Sequence, residues 1–163
     1  MWWSHENIQT PEAFLKSHQG GHLSQDVYNN NWKQFYDLHN ILLEIGGSET
    51  CFPAYEEDMA AILDRGRYYP GRSKMMRGRP NKCHANTCEL WENNRKQFQV
   101  AITTGYALSP DGIWRQHSWL VHRYRTKSQL RTRIVETTVK RTAYYGFEMT
   151  DREAEIFCAQ NIW

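Results

Sequence analysis

Cys83 stands where a thiol is most readily turned into a nucleophile. It follows the loop Gly78-Arg79-Pro80-Asn81-Lys82 and opens a stretch, 83–94, that reads as a helix. A thiol there feels the partial positive charge of the helix N-terminus, which lowers its pKa and supplies thiolate. The backbone N–H groups of the first turn have no partner within the helix. They can therefore hold an oxyanion formed at the carbon that the sulfur attacks.

A thiolate nucleophile needs a base, and the base needs a partner to orient it. His117 lies early in a strand-like run, Gln116-His117-Ser118-Trp119-Leu120-Val121. The next such run, Thr132-Arg133-Ile134-Val135-Glu136-Thr137-Thr138, carries a single carboxylate. If the two runs pair as a hairpin, Glu136 holds one ring nitrogen of His117 and leaves the other for the sulfur. The expected triad is Cys83, His117 and Glu136.

This order resembles the transglutaminase-like branch of the papain-like cysteine protease superfamily, whose pattern runs Cys-Trp, His-x-Trp and Asp-x-Thr. Here it stands as Cys83-His84, His117-Ser118-Trp119 and Glu136-Thr137-Thr138, within residues 78–140. His84 takes the place of the usual aromatic, and Glu136 lengthens the acid arm by one methylene. The resemblance implies thiol-dependent acyl transfer on an amide or peptide carbonyl, with no cofactor. Water as the acceptor would make a protease or deamidase, and an amine would make a transglutaminase. The implied partner is a protein, peptide or amide substrate, small or exposed enough for a chain of this length.

Around the triad, Asn81, Asn86, Tyr68 and Tyr69 are candidate second oxyanion donors. Trp114, Trp119 and Tyr106 are candidate walls of a substrate cleft. Arg115 and Gln116 flank the histidine and are candidates for reading substrate polarity. Alternation along a strand sends Gln116 to the face opposite His117, so at most one of the two shares its side. Cys51, Cys88 and Cys158 are expected in the core, where unpaired cysteines usually lie. Cys88 follows Cys83 by five positions, about 140° around an ideal helix, and so faces inward. Cys83-x4-Cys88 and His117-x4-His122 superficially offer four zinc ligands. Pairs five apart diverge on a helix and on a strand alike, so no metal site is expected.

The elements that must position these residues follow from periodicity. Thr10-Pro11-Glu12 reads as a helix start, with a cap followed by proline. Residues 24–45 place Val27, Trp32, Phe35, Leu38, Ile41, Leu42 and Ile45 near a 3.6-residue period that Gly46-Gly47 ends, with Asn29-Asn30-Asn31 a candidate break. A further helix is expected over 55–65, stopped by Gly66. Residues 66–82, with three Gly, two Pro and six Arg or Lys, read as a surface loop. Strand-like runs follow at 98–107, 113–124 and 131–138, the first two joined by the turn Ser109-Pro110-Asp111-Gly112. Thr150 and Glu153 form a capping box for a last helix. The expectation is one α+β domain over 1–163. It comprises a helical part over 1–66, a catalytic core over 78–140 and a C-terminal helix over 150–163. The nucleophile helix would pack on an antiparallel sheet, and the resemblance makes that arrangement papain- or transglutaminase-like.

Composition narrows the classes. The 163 residues are 40% hydrophobic, 23% charged and 13% aromatic, the balance of a domain with a packed core. No apolar run is long enough to cross a bilayer. The start, Met1-Trp2-Trp3-Ser4-His5-Glu6, lacks the basic and apolar regions of a signal peptide, so a cytoplasmic location is expected. Four cysteines in a reducing compartment are expected to stay unpaired. A net charge of +2 does not call for nucleic acid, and the Arg-rich stretch 65–82 reads first as a solvated face. Two alternatives remain: a non-enzymatic protein-binding or inhibitor module on the same scaffold, and nucleic-acid binding through that stretch.

Overall fold

The computed structural model describes residues 25–53, 56–70 and 72–162; the helix expected at Thr10 lies outside them. Among the described residues, four helices and seven strands run in the order α1 (Gln25–Ile45), β1 (Glu49–Cys51), α2 (Met59–Arg65), β2 (Arg67–Pro70), β3 (Ser73–Met75), α3 (Cys83–Asn94), β4 (Gln99–Leu108), β5 (Ile113–Arg125), β6 (Leu130–Glu136), β7 (Ala143–Glu148) and α4 (Asp151–Asn161). The fold is mixed α+β, with an antiparallel-rich sheet ordered β2-β7-β4-β5-β6-β3 and β1 attached to β5.

The apolar spacing of the first long helix does its expected work: Phe35, Leu38, Leu42 and Leu43 are buried. They share one core with Trp91 of α3, Ile102 and Tyr106 of β4, Trp114 of β5 and Ala154 and Cys158 of α4. The asparagine run does not break α1, which is continuous from Gln25. α2 is shorter than expected. Ahead of it the Glu56 carboxylate accepts from the Asp58 amide at 3.3 Å, and the helix begins only at Met59. The capping box on α4 forms as expected, Thr150 Oγ1 accepting from Glu153 N and the Glu153 carboxylate from Thr150 N.

Three expectations need correction. Residues 66–82 are not simply a loop, because β2 pairs antiparallel with β7 and β3 pairs parallel with β6. Both are edge strands, which need one neighbour and little apolar surface, so their basic composition hides them. The sheet is consequently mixed and not purely antiparallel, since β1 also runs parallel to β5. Of that short strand only Thr50 is buried, its Oγ1 lying 2.7 Å from His39 Nδ1, and alternation turns Cys51 out to solvent. Cys51 is therefore not a core residue. β7 was invisible as a strand because Ala143 to Phe147 are all buried, which erases the period-two signal.

The sheet also creates an opening. β4 covers one edge of β5 from Trp114 to Arg123. On the other edge β1 pairs with Ile113–Arg115, and β6 pairs only from Leu120 onward. Residues 116–119 thus lie at a gap where two neighbouring strands part. No helix among the described residues is long and apolar enough to cross a membrane.

Candidate functional site

The start of α3 enters beside this gap. The segment leading to it is tied down by Met76 N to Glu136 O and Gly78 N to Thr137 O, both 2.8 Å. Asn86 then clamps the loop from within the helix, its Oδ1 accepting from Arg79 N (3.0 Å) and its Nδ2 donating to Arg79 O (2.8 Å). A Cβ at position 78 would collide with that amide, so glycine is required there. Asn81 takes the left-handed conformation (φ 56°) that asparagine tolerates, and turns the chain into the helix. No side chain caps α3, and its first turn holds no acidic residue. The positive end of the dipole is therefore presented at Cys83 without a competing carboxylate.

His117 is 1% exposed and Glu136 is fully buried. His117 Nε2 lies 2.8 Å from Glu136 Oε2 and 3.1 Å from Oε1, which leaves Nδ1 as the nitrogen available to Cys83. Glu136 also accepts from Thr137 N (2.8 Å), Thr138 N (2.9 Å), Thr138 Oγ1 (3.1 Å) and Tyr144 OH (2.9 Å). Its carboxylate curls back over the two residues that follow it, an Asx-type turn with one more methylene. That is what the longer acid arm accomplishes here. The His117 ring is stacked on Trp119, with centroids 6.2 Å apart and planes 20° apart, and lies beside Tyr144.

The charges follow from these contacts. Burial alone would push the Cys83 thiol up, but hydrogen bonds from His117 and His84, with their positive charges, bring it down to about 5. Burial would likewise push His117 down. Its bonds to the Cys83 sulfur and Glu136 outweigh that and raise it. Glu136, raised by burial, is lowered further by His117 and its other donors. The arrangement favours a thiolate–imidazolium pair backed by an ionised carboxylate.

His84 is the residue that the sequence reading passed over as a mere departure from pattern. Its Nδ1 lies 2.7 Å from Ser118 Oγ, which donates to Thr104 Oγ1 at 3.0 Å. Its other nitrogen is then free for the sulfur, so Cys83 sits between two imidazoles. Phe157 of α4 meets the His84 ring edge-on, at 5.4 Å. The only signal available was adjacency to Cys83. Thr138, the threonine of the Asp-x-Thr pattern, helps to hold Glu136, while Tyr144 and Ser118, which orient Glu136 and His84, carried no signal of their own.

The other expected residues divide. Asn81, Arg115 and Gln116 border a 510 Å³ cleft together with Cys83 and His117. Strand alternation did not separate Gln116 from His117, because at the unpaired edge of β5 both faces reach the same opening. Asn86 is 3% exposed and spends its amide on Arg79, so it is no oxyanion donor. The Tyr69 hydroxyl donates to Glu148 at 3.0 Å, and its ring lies edge-on to Trp119; Tyr69 is not at the thiol. Trp114 and Trp119 are fully buried and line no cleft. Trp114 Nε1 donates to Gly46 O (2.7 Å) in the core, and Trp119 backs the histidine. Tyr106 is equally buried, its hydroxyl donating to Glu56 at 2.7 Å. Cys88 and Cys158 are both buried in the same core. His122 lies between Phe98 and Tyr124. Cys88 and His122 therefore lie away from the cleft where Cys83 and His117 meet.

The chain matches no family model, no curated protein and no solved structure.

Proposed function

We propose that the chain is a thiol-dependent acyl-transfer enzyme with Cys83 as nucleophile, His117 as base and acid, and Glu136 as the group that orients and charges the histidine. One observation carries this: His117, paired with Glu136 at 2.8 Å, and Cys83, whose thiol that histidine holds down, border the same open cleft. A buried pair serving stability alone would have no need of a thiol held down to about 5 at the mouth of a cavity.

The thiolate attacks the carbonyl carbon of an amide and forms the C–S bond, while the carbonyl electron pair moves onto oxygen. The free N–H groups of the first turn of α3 face that oxyanion. As the C–N bond breaks, His117 gives its proton to the departing nitrogen and the amine leaves. His117 then takes a proton from the incoming water or amine, which attacks the thioester; the C–S bond breaks and the thiolate returns. Glu136 stays ionised throughout and stabilises the imidazolium. The nucleophile helix beside a His strand and an acid strand also supports the transglutaminase-like reading of the fold. The free state of Cys51, Cys83, Cys88 and Cys158 fits a cytoplasmic setting.

Labelling with iodoacetamide near neutral pH, followed by peptide mapping, tests the nucleophile. Cys83 should alkylate well ahead of Cys51, although Cys51 is the more exposed of the two. Cys83→Ala should keep the fold and reduce turnover of any amide substrate to background. If it left the protein's biological effect unaltered, the chain would be a binding module instead.

A further inference from the structure

Charge is distributed across the site with a change of sign. The cleft that holds Cys83 is bordered by Arg77, Arg115, Lys140 and Arg141 and, among the described residues, by no carboxylate. Gln116 forms the partition, its Nε2 donating to Glu56 at 3.0 Å. Beyond it lies a 720 Å³ chamber bordered by Glu56, Glu57, Asp58 and Glu153 and, among the described residues, by no lysine or arginine. His84 looks into the chamber and Cys83 into the cleft, so the sulfur sits where the sign changes.

The four cations are not equivalent. Arg115 is held by Asp111 through two bonds of 3.0 and 2.8 Å, and Arg141 donates to Ser109 Oγ. Arg77 and Lys140 are exposed and have no carboxylate partner among the described residues. Two unneutralised cations in a concave, one-sided lining raise the local concentration of anions at the nucleophile, whereas the acidic chamber repels them.

Resting on the assignment of Cys83 as nucleophile, we propose that the acyl donor is an anionic peptide, with a carboxylate near the reacting carbonyl that lies against Arg77 and Lys140. The carboxylate is that of an Asp or Glu side chain or that of a free C-terminus; both present the same group to the two cations. An arginine can hold it through two parallel bonds and a lysine as a point charge.

The test compares two alkylating reagents of nearly equal size on the intact chain, neutral iodoacetamide and anionic iodoacetate. The iodoacetate/iodoacetamide rate ratio at Cys83 should exceed that of N-acetylcysteine amide by about tenfold at low salt, and fall towards it in 0.5 M NaCl as the field is screened. Taking the ratio divides out any change in thiolate population. Arg77→Gln with Lys140→Gln should lower it several-fold, and Arg77→Glu with Lys140→Glu should take it below the free-thiol value. Protection of Cys83 by N-acetyl-Gly-Asp-amide but not by N-acetyl-Gly-Gly acid assigns the carboxylate to a side chain, and the reverse assigns it to a C-terminus. A ratio equal to that of the free thiol, or unmoved by both double variants, overturns the anionic preference while rapid iodoacetamide labelling leaves the nucleophile standing. Slow labelling of Cys83 by both reagents overturns the nucleophile and this inference with it.

Discussion

At the scale of single residues, the site is a contest between burial and hydrogen bonding. Burial opposes the charged form of Cys83, His117 and Glu136 alike, and in each the bonds to the other members win. The rate of Cys83 alkylation by iodoacetamide should therefore rise through about pH 5, far below the ordinary thiol range. Glu136→Gln keeps the shape and removes the charge that supports the imidazolium. It should move that midpoint upward by roughly one pH unit or more, measured by the same labelling. His84→Ala should also raise the midpoint, by less than His117→Ala. His117 lowers the thiol more than His84 does, and its ring is backed by hydrogen bonds to the Glu136 carboxylate.

At the scale of elements, the triad depends on where strands stop. β6 leaves β5 after the Leu120–Val135 pair, so Glu136, still paired with β3, comes free of the β5 ladder at the level of Trp119, two residues from His117 on the same strand face. β1 ends its pairing at Arg115, and the start of α3 fills the space between. Its loop is held there by Asn86, whose two bonds to Arg79 are made from inside the helix. Asn86→Ala would leave a backbone donor and acceptor without partners and should cost about 1–3 kcal/mol in urea unfolding. Cys83 labelling should slow in the same variant, because the helix start that presents the sulfur loses its anchor.

At the scale of the whole molecule, Trp119 joins the site to a buried cluster apart from the main core, made with Tyr69, Ala107, Val121, Ile134 and Tyr144. Its ring lies against His117, Tyr69 and Tyr144, and is fully buried. Trp119→Ala should cost about 3–5 kcal/mol in thermal or urea unfolding, the usual loss for a buried aromatic. Trp119→Phe should retain the fold while loosening the histidine. The site also links stability to pH. The folded-state pKa of Glu136 lies below its ordinary value, so its contribution is present above the unfolded carboxylate range and lost as pH falls through the depressed value. Glu136→Gln should accordingly flatten the dependence of unfolding free energy on pH below about 4.5, as followed by urea titrations at several pH values.

Local chemistry was legible in the amino-acid order. The helix start at Cys83, the long strands around His117 and Glu136, and the capping box at Thr150 each depend on neighbours within a few positions. Short-range preferences therefore suffice to locate them. The hairpin pairing of the last two runs was enough to bring Glu136 to His117. Only the tertiary structure decided what depends on partners distant in the chain. β1, β2 and β3 are edge strands whose identity comes from the strand beside them, and β7 is buried on both faces without an alternating pattern. Trp114, Trp119, Tyr69 and Asn86 have side chains suited to a cleft. Burial and hydrogen bonding instead committed them to holding the fold. The sign change across Gln116 is likewise tertiary, because it joins the loop before α2, the loop before α3 and the turn after β6 around one strand edge. Residue type determines what a side chain can do, and the partner it meets across the fold determines which of those things it does.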